Sequence, residues 1–187
     1  MKLYRAIPES DFKSDKIYKK HPQSRLPSNI PYVVDNLWEF FRPEDNPSRR
    51  FAVYASTTID LALSNASAYT TDKYIAFELK FKYSPKAMQL SVKDARYHTD
   101  IKKIQNKIHS YLYACSFEKK EQVSLLFIPS ITKDNLVEKM KNNTTLITLV
   151  DNLKNDVTIW QDTPDIDGEM LFELEHDNSY QLVSITN

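Results

Sequence analysis

Apolar and polar residues alternate in several short segments of the chain, and a period of two predicts β-strands. The clearest case is residues 74–81, where every second side chain is large and apolar and Glu78 and Lys80 fall between. The same reasoning predicts further strands at 3–7, 49–55, 87–92, 123–128, 145–150, 169–174 and 180–185. We expect the last two of these strands to form a closing hairpin.

Other segments carry apolar residues at the spacing of a helix. They predict helices over residues 31–41, 59–66, 99–117 and 133–142. The hydroxyl residues Ser56, Thr57 and Thr58 can cap the second of these helices, because their oxygens accept hydrogen bonds from free backbone amides. Strands dispersed among helices of unequal length predict an α+β fold rather than a regular doubly wound sheet.

Composition narrows the class of protein. The 187 residues are 41% hydrophobic, enough for one domain with an ordinary core. No segment is long and apolar enough to cross a membrane or to act as a signal peptide, so we expect a cytoplasmic protein. Lysine plus arginine and aspartate plus glutamate both number 25, so nucleic-acid binding would require a local patch. The lone Cys115 lies in an apolar run and is expected to be a core residue.

The chain contains a single glycine, Gly168, directly before Glu169. Glycine lets the backbone turn freely and allows close approaches that a Cβ would block. Glu169 is therefore the first carboxylate to consider for chemistry. One glycine is too few for the phosphate-cradling loops of Rossmann or P-loop proteins, which excludes both classes.

Three separated segments carry side chains suited to a nucleotide substrate. Arg5 lies in Leu-Tyr-Arg-Ala on the first strand, Ser56 begins Ser-Thr-Thr after Val-Tyr-Ala, and Glu169 begins Glu-Met-Leu-Phe. A guanidinium binds phosphate oxygens in two places, and a carboxylate stabilises positive charge that develops on a sugar ring. In this order the segments resemble the arginine, Ser-Thr-Ser and glutamate pattern of the ADP-ribosyltransferase superfamily.

The resemblance implies one domain over residues 1–187, with a small split mixed β-sheet, surrounding helices and an inserted helical segment around 93–150. It implies a mono-ADP-ribosyltransferase, a glycosyltransferase that uses NAD as co-substrate and no metal. The acceptor would be a macromolecule, either a protein or a nucleic acid (RNA or DNA). Many relatives are toxins or phage-defence effectors, so an inhibitory antitoxin or immunity protein is a further expected partner, and a membrane is not.

The resemblance also assigns roles to individual residues. Glu169, Ser56 and Asp167 would be catalytic, with Ser56 bonded to Glu169 to fix its rotamer. The cofactor-binding residues would be Arg5, Tyr4, Tyr54, Ser56, Thr57 and Thr58. Asp167 stands where the family typically has glutamate or glutamine, and its side chain is shorter, so the family's acceptor preference does not carry over.

Several alternatives remain open from the sequence. Water could be the acceptor, which would make the protein an NAD glycohydrolase, or the cleft could bind NAD without chemistry, a reading that Asp167 favours. Glu78 and Lys80, with Asp60 or Asp72, resemble the magnesium-binding pattern of restriction-type nucleases. Each of the family-like residues also fits a purely structural role. Arg5 would then be a charged residue on the surface of a strand, and the hydroxyl triplet would be a helix cap.

The chain also contains one acidic cluster and several basic clusters. Asp162, Asp165 and Asp167 could hold a cation, but their spacing is not that of an EF-hand, and an acidic loop is the simpler interpretation. The basic residues between 13 and 25, at 42, 49 and 50, and between 96 and 107 are interpreted as solvated faces. If they converge near the NAD cleft, they would favour a nucleic acid as acceptor.

Overall fold

A computed structural model describes residues 2–20, 23–66, 71–161, 163–175 and 177–185. Within them, six α-helices and seven β-strands form the predicted α+β fold. The chain divides into two compact units. The β-rich unit comprises Met1–Gln23, Asp45–Ala95 and Thr163–Asn187, and the helical unit comprises Ser24–Glu44 and Arg96–Asp162. Most of the predicted insertion at 93–150 falls in the helical unit, which also takes in residues 24–44.

The β-rich unit contains two sheets and one helix, α2 (Ile59–Ala66). Its strands are β1 (Tyr4–Pro8), β2 (Tyr18–Lys19), β3 (Val53–Ala55), β4 (Tyr74–Phe81), β5 (Lys86–Gln89), β6 (Met170–Glu173) and β7 (Ser179–Ser184). The first sheet has the order β1-β4-β7-β2, and the second has the order β3-β6-β5. The sheet is therefore divided, as expected, but every described strand pairing is antiparallel, so the prediction of a mixed sheet is wrong.

The predicted closing hairpin is also wrong, because β6 and β7 belong to different sheets. Strand β7 pairs with β4, with Phe81 opposite Tyr180. The side chain of Asn178 accepts a hydrogen bond from Tyr83 N and donates one to Tyr83 O, both at 3.1 Å. These bonds fix the beginning of β7 beside the end of β4, while β6 pairs with β3 and β5.

Alternation along β4 explains where the core of this unit lies. Phe77 and Leu79 point to one face and are buried, together with Leu182 on β7. Met170 and Phe172 of β6 belong to the same apolar cluster, so residues of both sheets share one core. Because successive side chains of a strand point to opposite faces, this cluster defines which residues of each strand face inward.

The helical unit contains α1 (Tyr32–Phe40), α3 (Thr99–Ala114), α4 (Phe117–Val123), α5 (Lys133–Met140) and α6 (Thr144–Leu153). Two segments predicted as strands are helical here. Residues 123–128 form the end of α4 and a short 3-10 helix, in which Val123 and Leu126 are buried at a helical spacing. Residues 145–150 lie in α6, whose buried residues recur with the helical period: Leu146, Leu149, Val150 and Leu153. The β-branched residues favour a strand locally, but this periodic burial outweighs their preference.

A buried carboxylate organises the helical unit. Asp100 is fully buried and accepts hydrogen bonds from Trp38 Nε1 at 2.9 Å, Thr158 Oγ1 at 2.8 Å and Ile159 N at 3.1 Å. Burial opposes ionisation, but bonds from His98, Thr158 and Ile159 outweigh it and hold the pKa of Asp100 below its usual range. Asp100 therefore joins α1, the start of α3 and the segment after α6 through an ionised group whose oxygens are satisfied.

Candidate functional site

Glu169 directly precedes β6, the middle strand of the second sheet. Its backbone is held on one side, since Glu169 O accepts from Leu90 N at 2.9 Å and Glu169 N donates to Val92 O at 2.8 Å. A Cβ built on Gly168 would lie 1.8 Å from Leu90 O. Gly168 does not have a positive φ, so glycine is required here for the close approach of two backbones and not for a turn.

The carboxylate of Glu169 is almost enclosed, with its side chain 13% exposed. Ala95 N donates a hydrogen bond to Oε2 at 3.2 Å, and Arg49 lies 3.5 Å from the same oxygen. Burial raises the pKa of Glu169 above its ordinary value; Arg49 and Ala95 lower it in part, and Asp94 adds to the rise. A carboxylate with this balance of forces is a candidate for chemistry, because its ionisation depends on its immediate neighbours.

Arg49 belongs to the turn before β3 and was not predicted as a site residue. Its side chain is 10% exposed, and its guanidinium lies 5.2 Å from the centre of the Tyr54 ring. Tyr54 also donates its hydroxyl hydrogen to Arg49 O at 2.6 Å. Tyr54, predicted to bind cofactor, therefore holds a cation that faces Glu169. No sequence signal distinguishes Arg49 from its neighbour Arg50 or from other basic surface residues.

Tyr4 and Ser56 join the two sheets. Each donates its backbone N–H to the other's carbonyl at 2.8 Å, which forms an isolated antiparallel bridge. Ala55 pairs with Met170 across β3 and β6, so the next residues outward in this register are Ser56 and Glu169. The segments of Tyr4, Ser56 and Glu169, which are far apart in the sequence, thus lie on adjacent backbone strands.

The expected hydrogen bond between Ser56 and Glu169 is not formed among the described residues. Ser56 is buried, and its backbone N–H and carbonyl are bonded to Tyr4. The Glu169 carboxylate is held by Ala95 and Arg49. The two residues are neighbours in the register of the sheet, but the Glu169 side chain is held by Arg49 and Ala95 and not by the Ser56 hydroxyl.

Thr57 and Thr58 have separate structural partners. Thr57 Oγ1 donates to Ile166 O at 3.1 Å, which ties the end of β3 to the loop that precedes Glu169. Thr58 Oγ1 accepts from Leu61 N at 3.2 Å, so Thr58 caps α2, as the sequence predicts for this triplet. Of these two hydroxyl groups, that of Thr57 therefore bonds to the loop beside Glu169, and that of Thr58 bonds to its own helix.

Arg5 lies on β1 opposite Phe77 and therefore faces the core side of the first sheet. Its Nη1 donates to the Tyr180 hydroxyl at 2.7 Å. Glu169 precedes Met170, whose side chain belongs to the core, so the Glu169 side chain leaves its strand on the other face. Within the described residues, no ion pair or hydrogen bond joins Arg5 to Glu169. The sequence did not indicate Tyr180 as the partner of Arg5.

Asp167 lies in the loop before Glu169, and its side chain is 44% exposed. It forms an ion pair of 3.4 Å with Lys93. Gln89 Nε2 donates to the carbonyl oxygens of Ile166 and Gly168, both at 3.2 Å, and so fastens the same loop to β5. Asp167 therefore points toward a surface lysine rather than toward the Glu169 carboxylate.

The acidic residues of the nuclease-like magnesium pattern do not form a metal site in the described part of the chain. Glu78 forms an ion pair of 3.0 Å with Lys2 on the exposed side of β4. Among the residues that the structure describes, no three acidic, histidine or cysteine side chains are grouped so as to hold a metal ion. Asp162, part of the predicted acidic loop, lies outside the described residues. Cys115 forms no disulfide and is half-buried, so it is not the fully buried core residue that the sequence predicts.

A separate cavity of about 540 Å³ opens between α2 and the beginning of β4. Its apolar lining includes Phe12, Leu63 and Phe77, and Glu9 and Ser184 lie at its polar margin. None of the predicted site residues lines this cavity, so it is not the site built around Glu169.

No protein-family model matches the chain, and no curated protein or solved structure is significantly similar to it. Over the described residues, no helix has both the length and the apolar character that a membrane span requires. The site must therefore be interpreted from its own geometry.

Proposed function

We propose that the protein is a mono-ADP-ribosyltransferase that cleaves the bond between nicotinamide and ribose in NAD and transfers ADP-ribose to a macromolecule. The observation that carries this proposal is the backbone row of Tyr4, Ser56 and Glu169 across two sheets. Three segments that resemble the family's motifs are adjacent through strand pairing, although more than a hundred residues separate the last from the second. An accidental likeness of short motifs would not require this adjacency.

Glu169 supplies the central chemistry in this proposal. As nicotinamide leaves, positive charge develops on the ribose carbon, and a carboxylate beside the ring stabilises that charge. An enclosed carboxylate interacts more strongly with such a charge than an exposed one, because water screens it less. Enclosure also raises the pKa of Glu169. The side chain stabilises the ribose charge only when it is ionised, so the reaction requires a pH above this raised pKa.

Arg5 binds a phosphate of NAD in this proposal. A guanidinium has five N–H donors, and the Tyr180 hydroxyl accepts one of them at 2.7 Å. Tyr180 is itself buried and stacks on Tyr18 at 4.9 Å, so the group that orients Arg5 is fixed. Arg5 faces the core side of the first sheet and Glu169 leaves its strand on the other face, so an NAD molecule that reaches both must cross from one face to the other beside the Tyr4–Ser56 bridge.

The remaining predicted residues support the ends of the strands. Tyr4 and Ser56 hold the two sheets together through backbone bonds, Thr57 fastens the loop before Glu169, and Thr58 caps α2. Tyr54 acts through Arg49. In this proposal these residues shape the NAD site, and Asp167 lies on its acceptor side.

The acceptor is a protein or a nucleic acid, and the biological setting that we favour is that of a toxin or phage-defence effector acting in the cytoplasm. An antitoxin or immunity protein would then be its inhibitory partner. Transfer to water, which would make the protein an NAD glycohydrolase, uses the same cleavage step and differs only in the acceptor.

Labelled NAD tests the proposal directly. We expect incubation of the protein with adenylate-labelled NAD and cell lysate to place label on protein or nucleic acid. Glu169→Gln keeps the shape of the side chain and removes its charge, so turnover should fall by at least about 10²-fold. Glu78→Gln is the matched control, because Glu78 is a glutamate on a neighbouring sheet whose partner is the surface residue Lys2.

The product separates the alternatives. If free ADP-ribose is the sole product, the protein is an NAD glycohydrolase and not a transferase. A protein that consumes no NAD would contradict both enzymes, and a binding module without chemistry would then be the remaining function. Equal activity of the wild type and Glu169→Gln would show that the Glu169 carboxylate has no role in the reaction.

A further inference from the structure

Arg49 is held in place from several directions before it reaches Glu169. Its turn is anchored by Ser48 N, which donates to Glu173 Oε2 at 2.9 Å, and Glu173 lies on the same strand that Glu169 precedes. Tyr54 binds the carbonyl of Arg49 and lies against its guanidinium. A cation fixed by its own backbone and by an aromatic ring has little freedom to move away from the carboxylate.

The contact between Arg49 and Glu169 is largely shielded from water. The two side chains are 10% and 13% exposed, and Arg49 Nη1 lies 3.5 Å from Glu169 Oε2. Ala95 N binds the same oxygen at 3.2 Å. Both groups approach Oε2, so they define the direction of the carboxylate and hold it by one oxygen.

The charges around Glu169 come from two segments. Arg49 approaches from the turn before β3 and favours the ionised carboxylate, whereas Asp94, after β5, disfavours it. Arg49 is thus the cation that opposes both burial and Asp94. Its removal should leave a carboxylate that is protonated over a wider range of pH.

We propose that Arg49 is a positioning residue for the NAD cleavage described above, which keeps the Glu169 carboxylate charged and directed through contact with Oε2. This inference rests on the proposed function. Arg49 acts through Glu169 rather than through NAD, so its loss should lower kcat more than it raises the KM for NAD.

The ionisation of Glu169 can be measured without NAD. Carboxyl-labelled glutamate is incorporated into the protein, and the Glu169 signal is identified by its loss in Glu169→Gln. We expect carbon NMR titration to show that Arg49→Met raises the pKa of Glu169, whereas Arg49→Lys, which retains the charge, changes it less. Lys73→Met, which removes a cation from the exposed ion pair with Glu9, is the control and should not change this titration.

The kinetic test uses the same variants. In Arg49→Met the acid limb of the kcat profile should move to higher pH, with activity on that limb about tenfold lower for each unit that the carboxyl pKa rises. Arg49→Lys should recover most of the loss. Tyr54→Phe keeps the ring and removes the hydroxyl bond to Arg49 O, so it gives a milder variant if Arg49→Met folds poorly.

Three outcomes separate this inference from the function on which it rests. A wild-type protein that does not consume NAD overturns the proposed function, and the role of Arg49 in it falls as well. An active wild type whose Glu169 titration and acid limb are unchanged in Arg49→Met overturns the inference alone. A large rise in KM at constant kcat would also overturn it, because Arg49 would then bind NAD directly.

Discussion

At the scale of single residues, Glu169 has one role in the fold, through its backbone, and a second role in the proposed chemistry, through its carboxylate. Its backbone closes the contact between β6 and residues 90–92, while its carboxylate is buried beside Arg49 and Asp94. A group whose pKa is raised by folding destabilises the folded state when it is ionised. The protein therefore loses stability by keeping this carboxylate charged, as is common where an active group is enclosed.

The first prediction concerns the stability of Glu169→Gln. Below the unfolded-state pKa of about 4.3, Glu169 is protonated in both states, so wild type and variant should unfold at similar temperatures. As the pH rises through the higher folded-state pKa, only the wild type bears the cost of a buried charge. We expect the Tm of the variant to equal or exceed that of the wild type at pH 7, by up to about 3 °C.

Thermal unfolding from pH 4 to pH 8, followed by circular dichroism, measures this difference. The gap between variant and wild type should widen as the pH rises. A variant that is clearly less stable at pH 7 would mean that the ion pair with Arg49 stabilises the fold more than burial opposes it.

At the scale of elements, the structure depends on how closely two backbones approach beside Gly168. Leu90 O lies where a side chain at position 168 would begin, and the segment from 90 to 92 is bound there to Glu169. The loop before β6 is also tied to β3 by Thr57 and to β5 by Gln89. The position of Glu169 is therefore set by three strands of one sheet.

The second prediction is that Gly168→Ala is strongly destabilising. Its methyl group would overlap Leu90 O, a backbone atom that can move only if β5 and β6 separate. Overpacking of this kind costs about 1–3 kcal/mol. Urea unfolding should show the loss, whereas Ser64→Ala on the exposed side of α2 should have little effect. A stable Gly168→Ala would contradict the close approach of the two segments.

Local pattern was sufficient for most elements and insufficient for their pairing. The alternation of residues 74–81 predicts β4 with its observed ends, and the apolar spacing of 59–66 predicts α2. Residues 145–150 became helical because burial at α6 outweighs β-branched preference. The assignment of β6 and β7 to different sheets comes from long-range pairing, such as that of β7 with β4 and of Asn178 with Tyr83, which leaves no periodic signal.

The candidate site was predictable only in part for the same reason. Glu169 was found through the lone glycine, and Ser56 and Arg5 through their order along the chain. Arg49, Ala95 and Tyr180 contact these residues through tertiary pairing, and two of the contacts use generic groups, a backbone amide and a phenol hydroxyl. Such partners look like ordinary turn or strand residues until the chain is folded.

At the scale of the whole molecule, ligand binding should appear as a gain in stability. A ligand that binds the folded state raises the free energy of unfolding by about 2.7 kcal/mol at one hundred times its dissociation constant. The predicted contacts of NAD lie in the β-rich unit. We therefore expect NAD to raise the temperature of the thermal unfolding transition that reports on this unit.

The third prediction is therefore a thermal shift with NAD. We expect NAD to raise the Tm of the wild type and of Glu169→Gln, and to raise that of Arg5→Ala much less, because Arg5 binds phosphate in the proposed complex. ADP-ribose should mimic NAD, and nicotinamide alone should not. An undiminished shift in Arg5→Ala would exclude this residue as the phosphate anchor.

The bridge between Tyr4 and Ser56 has a consequence for how such a protein can diverge. Both of its hydrogen bonds are made by main-chain atoms, so substitutions other than proline at either position leave these two bonds in place. Ser56 is buried, so replacement there is restricted to small residues, whereas the half-buried Tyr4 accepts a wider range of side chains while the sheets stay connected. New specificities could therefore arise here through single substitutions, with the architecture inherited intact.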